Sequence, residues 1–167
     1  RRLSYEEAQE RLDTSEGDLN EEIRTLNGLA HILKDKRFKN GAISFETEEV
    51  KFKLDENGKP VSVYKKVRKD AHKLIEEFML LANRLIATFV ATELKNAYVP
   101  YRMHDAPSME KMALLLQVST RFGFKINTNS HKELADSINS MTAEVANTPA
   151  ANILNPLAIR SMEKAIY

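Results

Sequence analysis

The dipeptide Asn57-Gly58 constrains this chain more than any other pair of residues. It sits between two short alternating runs, Phe52/Leu54 and Val61/Val63, and Asn-Gly between such runs is the strongest short-range signal for a β-hairpin. A two-residue loop would fix the register, because facing positions must then sum to 115. Leu54 would face Val61, Phe52 would face Val63, and Glu56 would face Lys59. Both apolar pairs then share one face, as a half-buried antiparallel sheet requires.

Helical patterns surround that hairpin. Ser4 followed by Glu7 has the spacing of a capping box and predicts a helix start. After a break at Ser15-Glu16-Gly17-Asp18, the residues Leu19, Ile23, Leu26, Ala30 and Leu33 recur at helical spacing, and Asn40-Gly41 closes the pattern behind a basic run. Ile43 and Phe45 alternate like a strand. Arg68 to about Leu94 reads as one long helix, with Phe78-Met79-Leu80-Leu81-Ala82 apolar all round and so expected to be covered. Tyr98 to Met103 reads as extended. Further helices are expected from Ser108 to Phe122, from about Lys132 to Ala146 and from Ala150 to Ile166. The predicted class is α+β: a small antiparallel sheet with a hairpin over 50–66, packed by a long central helix over about 68–94 and by several further helices.

Composition narrows what such a fold can do. The chain has 167 residues, enough for one ordinary domain, and its 25 Lys and Arg nearly balance 24 Asp and Glu. A polybasic tail is excluded as the main theme, but a local basic groove is not. The absence of cysteine excludes disulfide scaffolds, cysteine-ligated metal and thiol catalysis. No run approaches the length of a membrane helix, and a cytoplasmic location is expected. The chain opens on Arg1 rather than Met, as expected of an excised or processed piece.

Catalytic signatures are missing. The Asp residues at 13, 18, 35, 55, 70, 105 and 136 are scattered singly, whereas metal-dependent phosphodiester hydrolysis needs clustered carboxylates. Glu46-Glu48-Glu49, the densest acidic group, alternates sides of a strand edge and reads as a solvated rim. No phosphate-binding loop, dinucleotide fingerprint or HExxH helix occurs. His72 and Glu76 stand four apart on the long helix, a spacing that can bring two metal ligands together. Two ligands without a third make a weak site, and a hydrogen-bonded surface pair is the plainer reading.

Five segments in order make a more specific pattern. They are KRFKNGAISFETEE (36–49), VKFKLDENGKP (50–60), RKDAHKLIEEFMLLAN (68–83), YRMHDAPSMEKM (101–112) and RSMEKAIY (160–167). Together with the opening RLSYEEAQE they closely resemble the RNB catalytic domain of the ribonuclease II and ribonuclease R exoribonucleases, nearer to ribonuclease R, over almost the whole chain. The resemblance implies a processive, magnesium-dependent 3′–5′ exoribonuclease that degrades single-stranded RNA to nucleoside monophosphates and a short residual oligonucleotide.

It also implies that the family's metal-binding aspartates precede this chain and its catalytic arginine motif follows it. The rest of the catalytic domain and the flanking RNA-binding barrels would be the chain's natural partners. On this view the chain is an internal fragment that binds no metal, is inactive alone and supplies RNA-contacting surface. The alternative is a non-catalytic RNA-binding or scaffolding module of the same fold.

Two residues carry over by resemblance. Phe45 matches an aromatic that stacks on an RNA base, against a plain core role in its strand. Glu76 matches a glutamate that contacts a ribose hydroxyl, against an ion pair with Lys73 or His72. Glu77, with Lys73 four residues earlier, reads as solvated decoration. Lys36, Arg37 and Lys39 could contact phosphates, but a basic helix end explains them as well.

Overall fold

Helix α1 begins where its capping chemistry dictates. In the computed structural model, which describes residues 1–45, 49–94 and 98–167, α1 spans Tyr5–Thr14 and Ser4 is its N-cap. The Ser4 hydroxyl accepts the Glu7 N–H at 3.1 Å, and the Glu7 carboxylate accepts the Ser4 N–H at 2.7 Å. The second bond holds the Glu7 carboxyl below its ordinary pKa. The chain continues through α2 (Asn20–Lys39), β1 (Glu49–Leu54), β2 (Pro60–Lys66), α3 (Asp70–Glu93), α4 (Met109–Arg121), α5 (His131–Val145) and α6 (Ala151–Ser161). The α+β class predicted from the sequence is the class observed. Its elements fall into two units, one of 1–36 with 46–86 and the other of 37–45 with 87–167.

The first unit buries polar groups, Gln9, Arg11 and Glu77, beside the apolar Ala30, Ala71 and Leu74. Arg11 is buried in the last turn of α1, and its Nε donates to the Asp18 carbonyl at 3.0 Å. Its Nη1 donates to the Glu7 carbonyl at 2.7 Å, and its Nη2 to the Asp18 carboxylate at 2.9 Å. The Arg11 guanidinium accordingly holds the Asp18 carboxyl below its ordinary pKa. Gln9, also buried, accepts the Ala71 N–H at 3.0 Å and so caps the first turn of α3 from another helix. Gln9→Ala leaves that donor without its partner and is expected to cost about 1 to 2 kcal/mol. Chemical denaturation checks this; an unchanged midpoint would mean that water replaces the cap.

The hairpin keeps the expected register along most of its length but not at its end. Lys51 faces Tyr64, Phe52 faces Val63 and Lys53 faces Ser62, whereas Leu54 faces Pro60 across an irregularity. The loop is Glu56-Asn57-Gly58, not Asn57-Gly58 alone, because Asp55 organises it. The Asp55 carboxylate accepts the N–H groups of Asn57 and Lys59, both at 2.9 Å, while its carbonyl accepts the Gly58 N–H at 3.0 Å. Gly58 takes φ +78° as the left-handed residue that ends such a loop. Glu56 therefore lies in the loop and not opposite Lys59. The apolar face of the hairpin is exposed, Phe52 by 58%.

The second unit carries the apolar core. Met112 and Leu115 of α4 are buried with Leu134, Ile138, Met141 and Val145 of α5 and with Leu154 and Ala158 of α6. The α5 positions follow the i, i+4, i+7 spacing of a single helix face. Buried Ser119 and Ser161 are satisfied within their own helices, donating to the carbonyls of Leu116 and Ala158. Helix α6 ends at Ser161 rather than running on to Ile166. The tail instead makes an antiparallel bridge, with Met103 and Ile166 exchanging two backbone bonds of 2.9 Å. Such pairing satisfies the backbone groups of a segment that helix would otherwise have used.

Along α3 the apolar girdle is covered only in part: Phe78 and Leu81 are half-buried, whereas Met79 is 59% and Leu80 42% exposed. A girdle in the sequence reports the character of a helix surface, not what stands against it.

Candidate nucleic-acid interface

Glu76 and Glu77 are adjacent on α3 but differ in burial. Glu77 is only 5% exposed, so the sequence reading of a solvated residue is corrected. It lines a cavity of about 10 Å³ together with Ala30, Lys34, Lys73 and Leu74. The missed signal is its spacing three residues after the buried Leu74, which places it beside the apolar stripe.

Glu76 is half exposed and pairs with Arg68, not with the expected Lys73 or His72. Lys73 instead lies 3.8 Å from Asp70. His72 stacks on Tyr5, with ring centroids 4.3 Å apart and planes 10° from parallel. Of the two glutamates, Glu76 is the one a ligand can reach, by displacing an exposed guanidinium.

Phe45 belongs to the second unit, partly buried with Ile43 against the core cluster. The Ile43-Ser44-Phe45 segment is not paired as a strand. A side-chain amide takes the place of a neighbouring strand: Asn139 accepts the Ser44 N–H at 2.9 Å and donates to the Ala42 carbonyl at 2.9 Å. Gly41, at φ +88°, lets the chain pass α5, since a Cβ there would come within 2.9 Å of His131 Nδ1. Asn139 went unnoticed in the sequence because its partners lie some 95 residues away. At the end of α2, the Arg37 guanidinium lies 5.1 Å from the centroid of the Phe38 ring.

Metal-binding geometry is not among what the structure brings together. Among the described residues, no three His, Asp or Glu side chains form a group that could hold an ion. The nearest approach in sequence, His72 with Glu76, is split between Tyr5 and Arg68. Residues 46 and 48 of the acidic group lie outside the described residues. The described residues therefore do not fit a magnesium site, and no catalytic step is assigned to them. No described helix is long and apolar enough to cross a membrane.

The described residues form a mixed α+β chain with an accessible carboxylate, Glu76, on α3 and with a Phe45 segment held by Asn139. Comparison with known proteins gives the class its name. The model of the RNB domain matches residues 1–167, and the chain belongs to that family. The human exosome complex exonuclease RRP44 is 34% identical over 169 residues, which cover 99% of this chain and 17% of that protein. Ribonuclease R of Escherichia coli K12 is 35% identical over 145 residues, covering 87% of this chain and 18% of its own. The chain thus spans less than a fifth of the length of these relatives. Mycoplasma genitalium RNase R, solved in complex with ribose methylated single-stranded RNA, shares the fold with a TM-score of 0.85 and 24% identity, over 99% of this chain and 26% of that one.

Proposed function

We propose that this chain is part of the catalytic domain of a 3′–5′ exoribonuclease acting on single-stranded RNA, and that it contributes substrate-holding surface rather than the metal site. The observation that carries the reading is the RNB match over all 167 residues, with relatives of 34% and 35% identity that are named exonuclease and ribonuclease. Magnesium would be held by carboxylates outside this chain, as the family resemblance implies.

Glu76 accepts a ribose 2′-hydroxyl, a group that RNA has and DNA lacks. Its half-exposed place on a rigid helix supports this. Phe45 stacks on a base with the part of its ring left uncovered, while the other part anchors it on the core. Asn139 and Gly41 fix the segment that carries it. The remainder of the catalytic domain and flanking RNA-binding barrels complete the enzyme.

The chain alone, freed of host nucleases and incubated with magnesium and labelled single-stranded RNA, is expected to leave the RNA intact. Metal-dependent release of monophosphates at the rate of an intact exoribonuclease would overturn the division of labour.

A further inference from the structure

The two faces of the hairpin differ in kind. Strand alternation and the observed register place Val50, Phe52, Leu54, Val61 and Val63 on one face, with Lys65 across from Val50 at its edge. The other holds Lys51, Lys53, Ser62 and Tyr64, with Lys51 directly across from Tyr64 and Lys53 across from Ser62. Lys53, Ser62 and Tyr64 are exposed and Lys51 is half exposed. Residues 49–69 hold seven Lys and Arg against three Asp and Glu, a net +4 in a chain whose formal net charge is +1. The positive charge of the molecule is thus concentrated in and just after this hairpin, and everything else is net acidic.

We propose that the Lys51–Lys53–Tyr64 face of the hairpin is a docking surface for single-stranded RNA. Two lysines on one face, two residues apart in a strand, stand about 7 Å apart, close to the spacing of successive phosphates in an extended strand. Tyr64 lies beside them and offers an exposed ring on which a base can stack. Phosphate-tracking cations interleaved with an aromatic platform are the combination by which single strands are bound without sequence preference. Charge complementarity selects this occupant: a polyanion with flat bases fits a face with two ammonium groups, a ring and a hydroxyl. Lysines on an exposed sheet also discourage edge-to-edge aggregation, but that role gives no reason for RNA affinity to depend on the Tyr64 ring.

The inference rests on the reading that this chain handles single-stranded RNA, and the experiment separates the two. Fluorescence anisotropy of a fluorescein-labelled oligouridine, titrated with the 167-residue chain across a salt series, gives affinity and salt slope. Tyr64→Ala is expected to weaken binding roughly tenfold, the effect of one lost base stack. Tyr64→Thr, which retains strand propensity, should do the same if the alanine variant is poorly folded by circular dichroism. Lys53→Gln should reduce the slope of log affinity against log salt by about 0.7, one phosphate contact on a single strand. Lys53→Arg should preserve it, and Lys125→Gln, an exposed lysine of the other unit, should change neither quantity. No binding by the unaltered chain would overturn both this inference and the functional reading it stands on. Binding that Tyr64 and Lys53 variants leave unchanged, or that Lys125→Gln weakens as much as Lys53→Gln, would overturn the hairpin surface alone.

Discussion

Leu115→Ala is expected to remove about 3 to 5 kcal/mol from the stability of the second unit. Leu115 is completely buried at the centre of α4, in a cluster that draws on α4, α5 and α6. Truncation there loses the transfer free energy of the deleted carbons and leaves a cavity that three packed helices cannot close without moving together. In a unit of this size the loss corresponds to a fall in Tm of roughly 15 to 30 °C. Its neighbour makes the control: Leu114 is 50% exposed, and Leu114→Ala should lie within about 0.5 kcal/mol of neutral. Thermal melts of both variants decide the matter. Equal small losses would mean that the cluster is not the core.

Glu76→Ala in the full-length protein is expected to lower affinity for single-stranded RNA roughly ten- to hundredfold, the effect of one charge-assisted hydrogen bond. Binding of the matched DNA oligonucleotide should barely change, because DNA has no 2′-hydroxyl to donate. Stability should also hold, since the pair Glu76 makes with Arg68 is exposed on both sides and such pairs contribute little. Arg68→Gln separates the two roles. It breaks the ion pair but leaves the carboxylate in place, so the preference for RNA over DNA should survive it. If Glu76→Ala and Arg68→Gln alter RNA and DNA binding alike, Glu76 is a surface ion pair and nothing more.

Local rules made most of the fold legible. The Ser4–Glu7 capping box, the ends of α2 and α4 and the heart of the hairpin register follow from residues within a few positions of one another. Three features escaped: one because a neighbouring side chain overrules the turn signal, and two because their causes are distant. The hairpin loop is settled by the Asp55 carboxylate, which holds a longer loop than the Asn-Gly pair suggests. The tail after Ser161 has helical spacing, yet Ile166 finds its backbone partner at Met103. The first turn of α3 is capped by Gln9, over 60 residues earlier.

The candidate site divides along the same line. Family resemblance picked out Phe45 and Glu76, and helical spacing put Glu76 on α3. Neither could say that Glu76 is reachable while Glu77 is buried, since that depends on which face of α3 meets the residues around Ala30. Nor could spacing find Asn139, which grips the Phe45 segment by its backbone. A side-chain amide used as a substitute strand leaves no periodicity to detect.

The most direct test of the proposed function is a digestion of single-stranded RNA labelled at its 5′ end. The full-length protein that carries this segment, supplied with magnesium, should shorten the RNA progressively from the 3′ end, releasing nucleoside monophosphates and leaving a short labelled oligonucleotide. Internal cleavage, shortening from the labelled end, or intact RNA at every magnesium concentration would contradict the assignment to a 3′–5′ exoribonuclease.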